Sequence, residues 1–355
     1  MKRFKKIYVE ITNACNLSCS ICPGTKRSHR VMSTSEFEEV LRKITPFAGH
    51  IYLHVMGEPL MHPDFPGILK ICETRKIKVN IATNGVLIKK HGDSIISSGA
   101  VRQVNFSIHC LDVQREKELP ASYLADILEF IDEGRQKTQI YFALRLWNMK
   151  ADSEVSSEMV RRIGEFFSMS GQVEVADCLP MGRDFYSKEG GHSCPPRRGL
   201  ENPRSVEEKE RQCDYKIMNR CFKGRKGLEL APNVFLNFAE EFGWPDIHGK
   251  TFPEGKIFCR GLRDHCAILA DGTVVPCCLD KDGAVPLGNI FESDGKFCGC
   301  RVVRLGQGEE ISSPGRRTLH QIIGSDRAEK IIKGFSEGRA VEQLCKTCGF
   351  RRRFA

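Results

Sequence analysis

The chain has 355 residues, 41% of them apolar and 28% charged, with a formal net charge of +9. That is enough for one large domain or two ordinary ones with a sizeable core, and it excludes a disordered chain, a collagen-like repeat and a disulfide-dense miniprotein. Seventeen cysteines is a high count, and disulfides or metal are the two uses for them. The N-terminus decides between these. Glu10 interrupts the apolar stretch Ile7-Tyr8-Val9-Glu10-Ile11, so there is no secretory h-region. No run approaches the roughly 18 apolar residues of a membrane span. A cytoplasmic location with no membrane is expected, where thiols stay reduced and clustered cysteines serve metal. The net charge permits an anionic partner without demanding one.

The first half alternates between two periodicities. Strands are expected over residues 6–12, 50–55, 78–83, 103–108 and 140–147, with a sixth at 172–176. Helices are expected over 35–44, 66–74, 90–98, 123–134 and 159–169. The first places Phe37, Val40, Leu41 and Ile44 on one face behind a Ser-Thr-Ser run able to cap it. Such alternation implies a parallel sheet with helices outside, and six βα units suit a partial (β/α)6 TIM-like barrel. The pattern breaks at Asp184. Between Pro195 and Lys226 ten Lys or Arg face five Asp or Glu, in a stretch holding Gly190-Gly191 and Pro195-Pro196 just before and at its start. The expected organisation is a barrel over 1–185, a linker or excursion over 186–257 and an α+β domain over 258–355.

Cys15, Cys19 and Cys22 form C-x3-C-x2-C directly after the first strand. Four cysteine thiolates close a four-iron cluster, so three leave one iron open for chemistry. A zinc site is the competing reading. With Thr12-Asn13-Ala14 before the triplet and Pro23 after it, the segment resembles the cluster loop of radical S-adenosylmethionine (SAM) enzymes. The resemblance implies a 4Fe-4S cluster on Cys15, Cys19 and Cys22, with SAM chelating the fourth iron. Reductive cleavage would then give a 5′-deoxyadenosyl radical that abstracts hydrogen. Ile21 stands where the family usually carries an aromatic residue. Met56-Gly57-Glu58-Pro59 ends the second strand and resembles the family's Gly-Gly-Glu-Pro, which implies that Gly57 and Glu58 bind the SAM amino group. Thr83, Asn84 and Ser107 end the third and fourth strands where the family lines the SAM site. Arg145 on the fifth has a fork that suits the SAM carboxylate.

Downstream, Asp271-Gly272 between apolar runs signals a hairpin. Cys259-x12-Gly272-x4-Cys277 resembles the auxiliary-cluster domains known as SPASM and its shorter form Twitch. The resemblance implies a second 4Fe-4S cluster on Cys259, Cys277, Cys345 and Cys348. With a two-residue hairpin loop Cys266 would lie across from Cys277, so Cys266 remains an alternative ligand, as does Cys278. Zinc on the same four thiols is again the alternative. Cys213, Cys221, Cys298 and Cys300 have no assigned role, and Cys72, Cys110, Cys178 and Cys194 read as small buried hydrophobes.

The expected function is hydrogen abstraction from a peptide or small molecule, with an auxiliary cluster accepting an electron or binding substrate. A reducing partner such as flavodoxin or ferredoxin is implied. Only 14 residues precede Cys15, which weighs against a leader-gripping domain, and the C-terminal double glycine of the molybdenum-cofactor relatives is absent. RNA modification is a second reading, from the basic 195–226 stretch and Arg351-Arg352-Arg353. The lack of an aromatic RNA motif favours a solvated loop and tail instead of a nucleic-acid face. A non-catalytic iron–sulfur or zinc redox protein is the reading of another class, and the polar strand ends argue against it.

Overall fold

The computed structural model describes residues 4–110, 118–146, 154–169, 228–239, 242–252, 258–292 and 318–354. Its first half realises the alternation. Strands β1 (Lys6–Val9), β2 (His50–Tyr52), β3 (Lys78–Thr83), β4 (Val101–Phe106) and β5 (Tyr141–Leu146) are separated by helices α1 (Thr34–Ile44), α2 (Phe65–Thr74), α3 (Ile88–Ser97) and α4 (Tyr123–Lys137), and α5 (Glu154–Met169) follows. α1 begins where Ser33 and Glu36 form a reciprocal capping box. Neighbouring strands from β1 to β5 all pair in parallel. The expected sixth strand at 172–176 lies outside the described residues.

The sixth place beside β5 is taken by a different segment. β6 (Leu228–Ala231) and β7 (Val234–Phe238) form a hairpin turned by Pro232 and a left-handed Asn233, and β7 pairs in parallel with β5. Within the stretch expected as linker or excursion over 186–257, residues 228–238 thus carry two strands of the sheet. On the opposite edge, β8 (His265–Ile268) pairs in parallel with β1, and β9 (Thr273–Val275) and β10 (Gly288–Asn289) continue antiparallel. The described strands form one open sheet in the order β10-β9-β8-β1-β2-β3-β4-β5-β7-β6, so the C-terminal hairpin extends the sheet of the barrel. Helices α6 (Leu319–Ile323), α7 (Asp326–Ser336) and α8 (Gln343–Lys346) complete the C-terminal part. Among the described residues no helix is long and apolar enough to cross a membrane.

Period two sorts the strand residues. Ile7, Val9, Ile51, Leu53, Val79, Ile81, Val104, Phe106, Phe142 and Leu144 are buried in the main core, under the helices. The other face carries Lys6 and Tyr8 on β1, Tyr52 on β2 with His54 just beyond it, and Arg145 on β5. A parallel sheet covered on both faces would carry apolar residues there. Tyr52 nevertheless lies close enough to Arg145 to favour its charge, although β2 and β5 are separated by two strands in the sheet. Side chains so far apart meet only if the sheet curls, with this face concave.

Candidate functional site

The cysteine loop is held open-side-out at the strand ends. Cys15 and Cys22 are exposed and Cys19 half-buried. Asn13 closes the loop's two arms: its Nδ2 donates to the Ser28 carbonyl at 2.9 Å and its Oδ1 accepts from the Arg30 N–H at 2.8 Å. Burial and the neighbouring thiols Cys15 and Cys22 push Cys19 up to about 11. Three clustered thiols, with Cys15 and Cys19 held up by burial, are a donor set that positive iron satisfies, since metal binding takes the thiolates and releases their protons.

Gly57 fits against this loop as only glycine does. Its φ is +77°, and a Cβ would stand 2.5 Å from the Thr12 carbonyl oxygen and 2.8 Å from that of Ala14. The Glu58 N–H donates to the Ala14 carbonyl at 2.8 Å. The Glu58 carboxylate is fully enclosed. Oε1 accepts from the Thr83 hydroxyl at 2.7 Å and the Leu60 N–H at 3.1 Å, and Oε2 from the Asn84 N–H at 2.7 Å. Burial pushes Glu58 up to about 7, against the downward pull of those three bonds. Its first visible duty is therefore to tie the ends of β2 and β3 together. Asn84 reaches the loop as well, with Nδ2 2.7 Å from Asn16 Oδ1 and 3.9 Å from Cys15 Sγ. The Ser107 N–H donates to the Thr83 carbonyl at 2.8 Å, and its side chain is half-exposed beside them. Gly57, Glu58, Thr83, Asn84 and Ser107 thus share one strand-end rim with the triplet. Arg145 stands apart, its guanidinium beside Tyr52 on the concave face.

Residues that the sequence did not single out hold this rim. Glu10 has a fully buried side chain and accepts four hydrogen bonds: Arg27 Nη1 at 2.7 Å and Nη2 at 2.8 Å, the Met56 N–H at 2.9 Å and the Ala270 N–H at 3.1 Å. It thereby joins β1, β2, the far arm of the cysteine loop and the C-terminal hairpin. A glutamate inside an otherwise apolar strand was the signal available for it. Arg27 Nε also donates to the Lys281 carbonyl at 2.8 Å, and the Thr25 hydroxyl and Lys26 N–H both donate to Asp282 Oδ1, at 2.8 and 2.9 Å. The Tyr123 hydroxyl supports the β3 turn by donating to the Asn84 carbonyl at 2.6 Å.

The second cysteine set gathers around Cys277. Burial, then Cys278, Cys259, Cys345 and Cys348 in turn, push its thiol well up, so all four lie within electrostatic reach of it. Burial and neighbouring Cys259 and Cys348 do the same to Cys345. The chain end is tied back to bring them there: the Phe252 N–H donates to the Lys346 carbonyl at 3.1 Å, the Gly349 N–H to that of Gly243 at 3.1 Å, and the Asp246 N–H to Thr347 Oγ1 at 3.2 Å. This set too fits iron by its chemistry, buried thiols that only a positive centre relieves. Among the described residues no three Cys, His, Asp or Glu side chains converge on a single-ion site.

The hairpin corrects the place expected for Cys266. The Leu269 N–H donates to the Thr273 carbonyl at 2.9 Å, and Ala267 and Ile268 pair with Val275 and Val274. Three residues, ending in left-handed Gly272, make the loop, where two were expected. Extending that register sets Cys266 opposite Pro276 instead of Cys277. A slip of one residue turns a side chain to the other face, and Cys266 is buried in the main core beneath the helices. Cys278 points the other way, packed against the cluster that holds Tyr8 on the concave face. Cys72 and Cys110 are buried as expected, while Cys178, Cys194, Cys213, Cys221, Cys298 and Cys300 lie outside the described residues.

Comparison with known proteins accords with this geometry. Residues 9–146 match the Radical SAM superfamily, and residues 259–296 match SPASM, an iron-sulfur cluster-binding domain. A probable GTP 3′,8-cyclase of Sulfolobus acidocaldarius is 24% identical over 298 residues, 82% of this chain and 87% of that protein. A probable GTP 3′,8-cyclase of Methanococcus maripaludis is 29% identical over 140 residues, covering 38% of this chain and 46% of its own length, so the match spans about half of that relative. The crystal structure of BtrN in complex with AdoMet and 2-DOIA superposes with a TM-score of 0.50 over 98% of this chain and 94% of that one, at 14% identity, a likeness of fold. The chain thus carries a Radical SAM domain over residues 9–146 and a SPASM iron–sulfur cluster-binding domain over residues 259–296.

Proposed function

We propose that the protein is an enzyme that abstracts hydrogen from a small-molecule or peptide substrate held in the concave face of the sheet, between two iron–sulfur sites. A SAM-bound 4Fe-4S cluster supplies, on one-electron reduction, the 5′-deoxyadenosyl radical of this superfamily. Cys15, Cys19 and Cys22 would hold that cluster. Gly57, Glu58, Thr83, Asn84 and Ser107 would hold SAM at the strand ends. In this reading Glu58 acts chiefly by fixing the strand-end backbone, since its carboxylate already accepts three bonds. Cys259, Cys277, Cys345 and Cys348 would hold the auxiliary 4Fe-4S cluster. A reductant such as flavodoxin or ferredoxin would deliver the electron at the exposed loop.

The observation that carries the proposal is that both cysteine sets border one concave face. Asn84 contacts Cys15 at the rim, and Cys278, next to Cys277, packs against the Tyr8 cluster inside. The small-molecule branch draws support from the relatives named GTP 3′,8-cyclase. The test is anaerobic reconstitution followed by reduction with SAM. Wild type should form 5′-deoxyadenosine, and the Cys15→Ala/Cys19→Ala/Cys22→Ala variant should form none while keeping the iron of the second site. Undiminished cleavage in that variant would end the proposal.

A further inference from the structure

The concave face carries two cations, Arg145 and Lys6, that form no ion pair among the described residues, although Asp264 and the Cys278 thiol lie within electrostatic reach of Lys6. Arg145 is half-buried with the Tyr52 hydroxyl as a favourable neighbour of its guanidinium, and among the described residues it makes no ion pair. Lys6 projects into the same space, its Nζ 5.1 Å from the centre of the Tyr8 ring and 5.0 Å from that of Tyr52. The two rings stack at 4.9 Å. The acids within reach are spent elsewhere. Glu10 accepts four hydrogen bonds, two of them from Arg27, and Asp264 is paired with Arg260 at 2.6 Å. The remaining polar groups are neutral and underused: Nδ1 of His54 and Nδ1 of His265 are buried without a hydrogen-bond partner among the described residues. His54 sits edge-on to both tyrosines, at 5.6 and 5.7 Å, and burial with Arg145 and Lys6 nearby drives it down to about 3, so it adds no charge.

A guanidinium and an ammonium facing one partly desolvated space lose hydration that contacts to neutral tyrosines repay only in part. The missing component is negative, and Tyr52 preorients the guanidinium toward it. We infer that the concave face is a subsite for an oxyanion, a carboxylate or phosphate group of the substrate, held by Arg145 and Lys6 with the Tyr52 hydroxyl. The inference rests on the proposed function for its location between the iron sites, and narrows the substrate class to an anionic molecule. It also moves Arg145 from the SAM carboxylate to the substrate.

The test is equilibrium dialysis of pyrophosphate and of citrate against reconstituted holoenzyme with SAM present, with SAM titrated separately. One saturable anion site is expected, with whichever anion binds more tightly naming the group. Arg145→Gln and Lys6→Met should each weaken it about ten- to a hundredfold, the scale of a charged hydrogen bond, and Tyr52→Phe by less. SAM affinity should be unchanged in all three. Wild-type enzyme binding neither anion, or anion binding unaltered in Arg145→Gln and Lys6→Met, overturns the inference. Loss of SAM affinity in Arg145→Gln with anion binding intact returns Arg145 to the SAM carboxylate and also overturns it. If Arg145→Gln does not fold, Lys6→Met and Tyr52→Phe decide alone. Failure of wild type to bind SAM at all is a separate result, against the proposed function.

Discussion

Replacing Glu58 by Gln sets burial against hydrogen bonding in one measurement. The carboxylate accepts from the Thr83 hydroxyl and the N–H groups of Leu60 and Asn84, which favour its charge, while complete burial opposes it. Burial wins, moving Glu58 from 4.5 to about 7. Between those values the folded protein binds a proton that the unfolded chain has released, so stability falls as pH rises. The shift corresponds to about 3 kcal/mol, at ~1.36 kcal/mol per unit. Apo wild type should therefore lose about 3 kcal/mol relative to Glu58→Gln between pH 4.5 and 7, the variant having no such proton to lose. Gln carries its own cost at every pH. Its NH2 faces a backbone N–H wherever it is turned, leaving a buried donor unpaired at about 1–3 kcal/mol. The direct assay is an infrared difference titration, wild type minus variant, following the protonated carboxyl stretch. A midpoint near pH 7 is expected. A midpoint at or below the ordinary carboxylate value would show that the three bonds outweigh burial, and would refute the reasoning.

Other changes read other parts of the molecule. Arg27→Ala strips Glu10 of its bidentate partner and leaves a buried carboxylate, which should cost about 3–5 kcal/mol and lower iron retention at the first site, measured by thermal unfolding and iron assay. Cys345→Ser with Cys348→Ser should bring iron from about eight to about four per chain, since each cubane holds four, with SAM still bound at the rim; full iron would place the ligands elsewhere. Cys266→Ala should keep full iron and cost only about 1 kcal/mol, as for a small buried side chain. A drop in iron there would restore Cys266 to the cluster and contradict the hairpin register.

The elements read most directly from the chain are those with local causes. Ser33 and Glu36 cap α1 within a single turn, and the apolar faces of α1 and α4 repeat at helical spacing. The triplet Cys15, Cys19, Cys22 and the Gly57-Glu58 pair carry their signal in a few consecutive residues. What escaped depends on distance or on a one-residue count. β7 takes its place only by pairing with β5, some ninety residues earlier, and the charged run before it masked it. The Cys266 expectation failed because Leu269 closes on Thr273, turning a two-residue loop into three. Glu10 shows in the sequence only as an interruption, since its four hydrogen bonds come from three separate segments. The Arg145–Tyr52 contact needs the curl of the whole sheet, which no local pattern encodes.

The contacts from Thr25, Lys26 and Arg27 to Lys281 and Asp282 mean that the arm closing the first cysteine loop lies on the segment that follows Cys277 and Cys278. Glu10 adds a second tie, to Ala270 in the hairpin turn. Iron captured by the C-terminal thiols would therefore also pre-form the N-terminal loop, and by linkage iron in that loop must tighten capture at the other end by the same factor. Loading of the two sites would then be coupled: loss of one cluster weakens, without abolishing, the hold on the other.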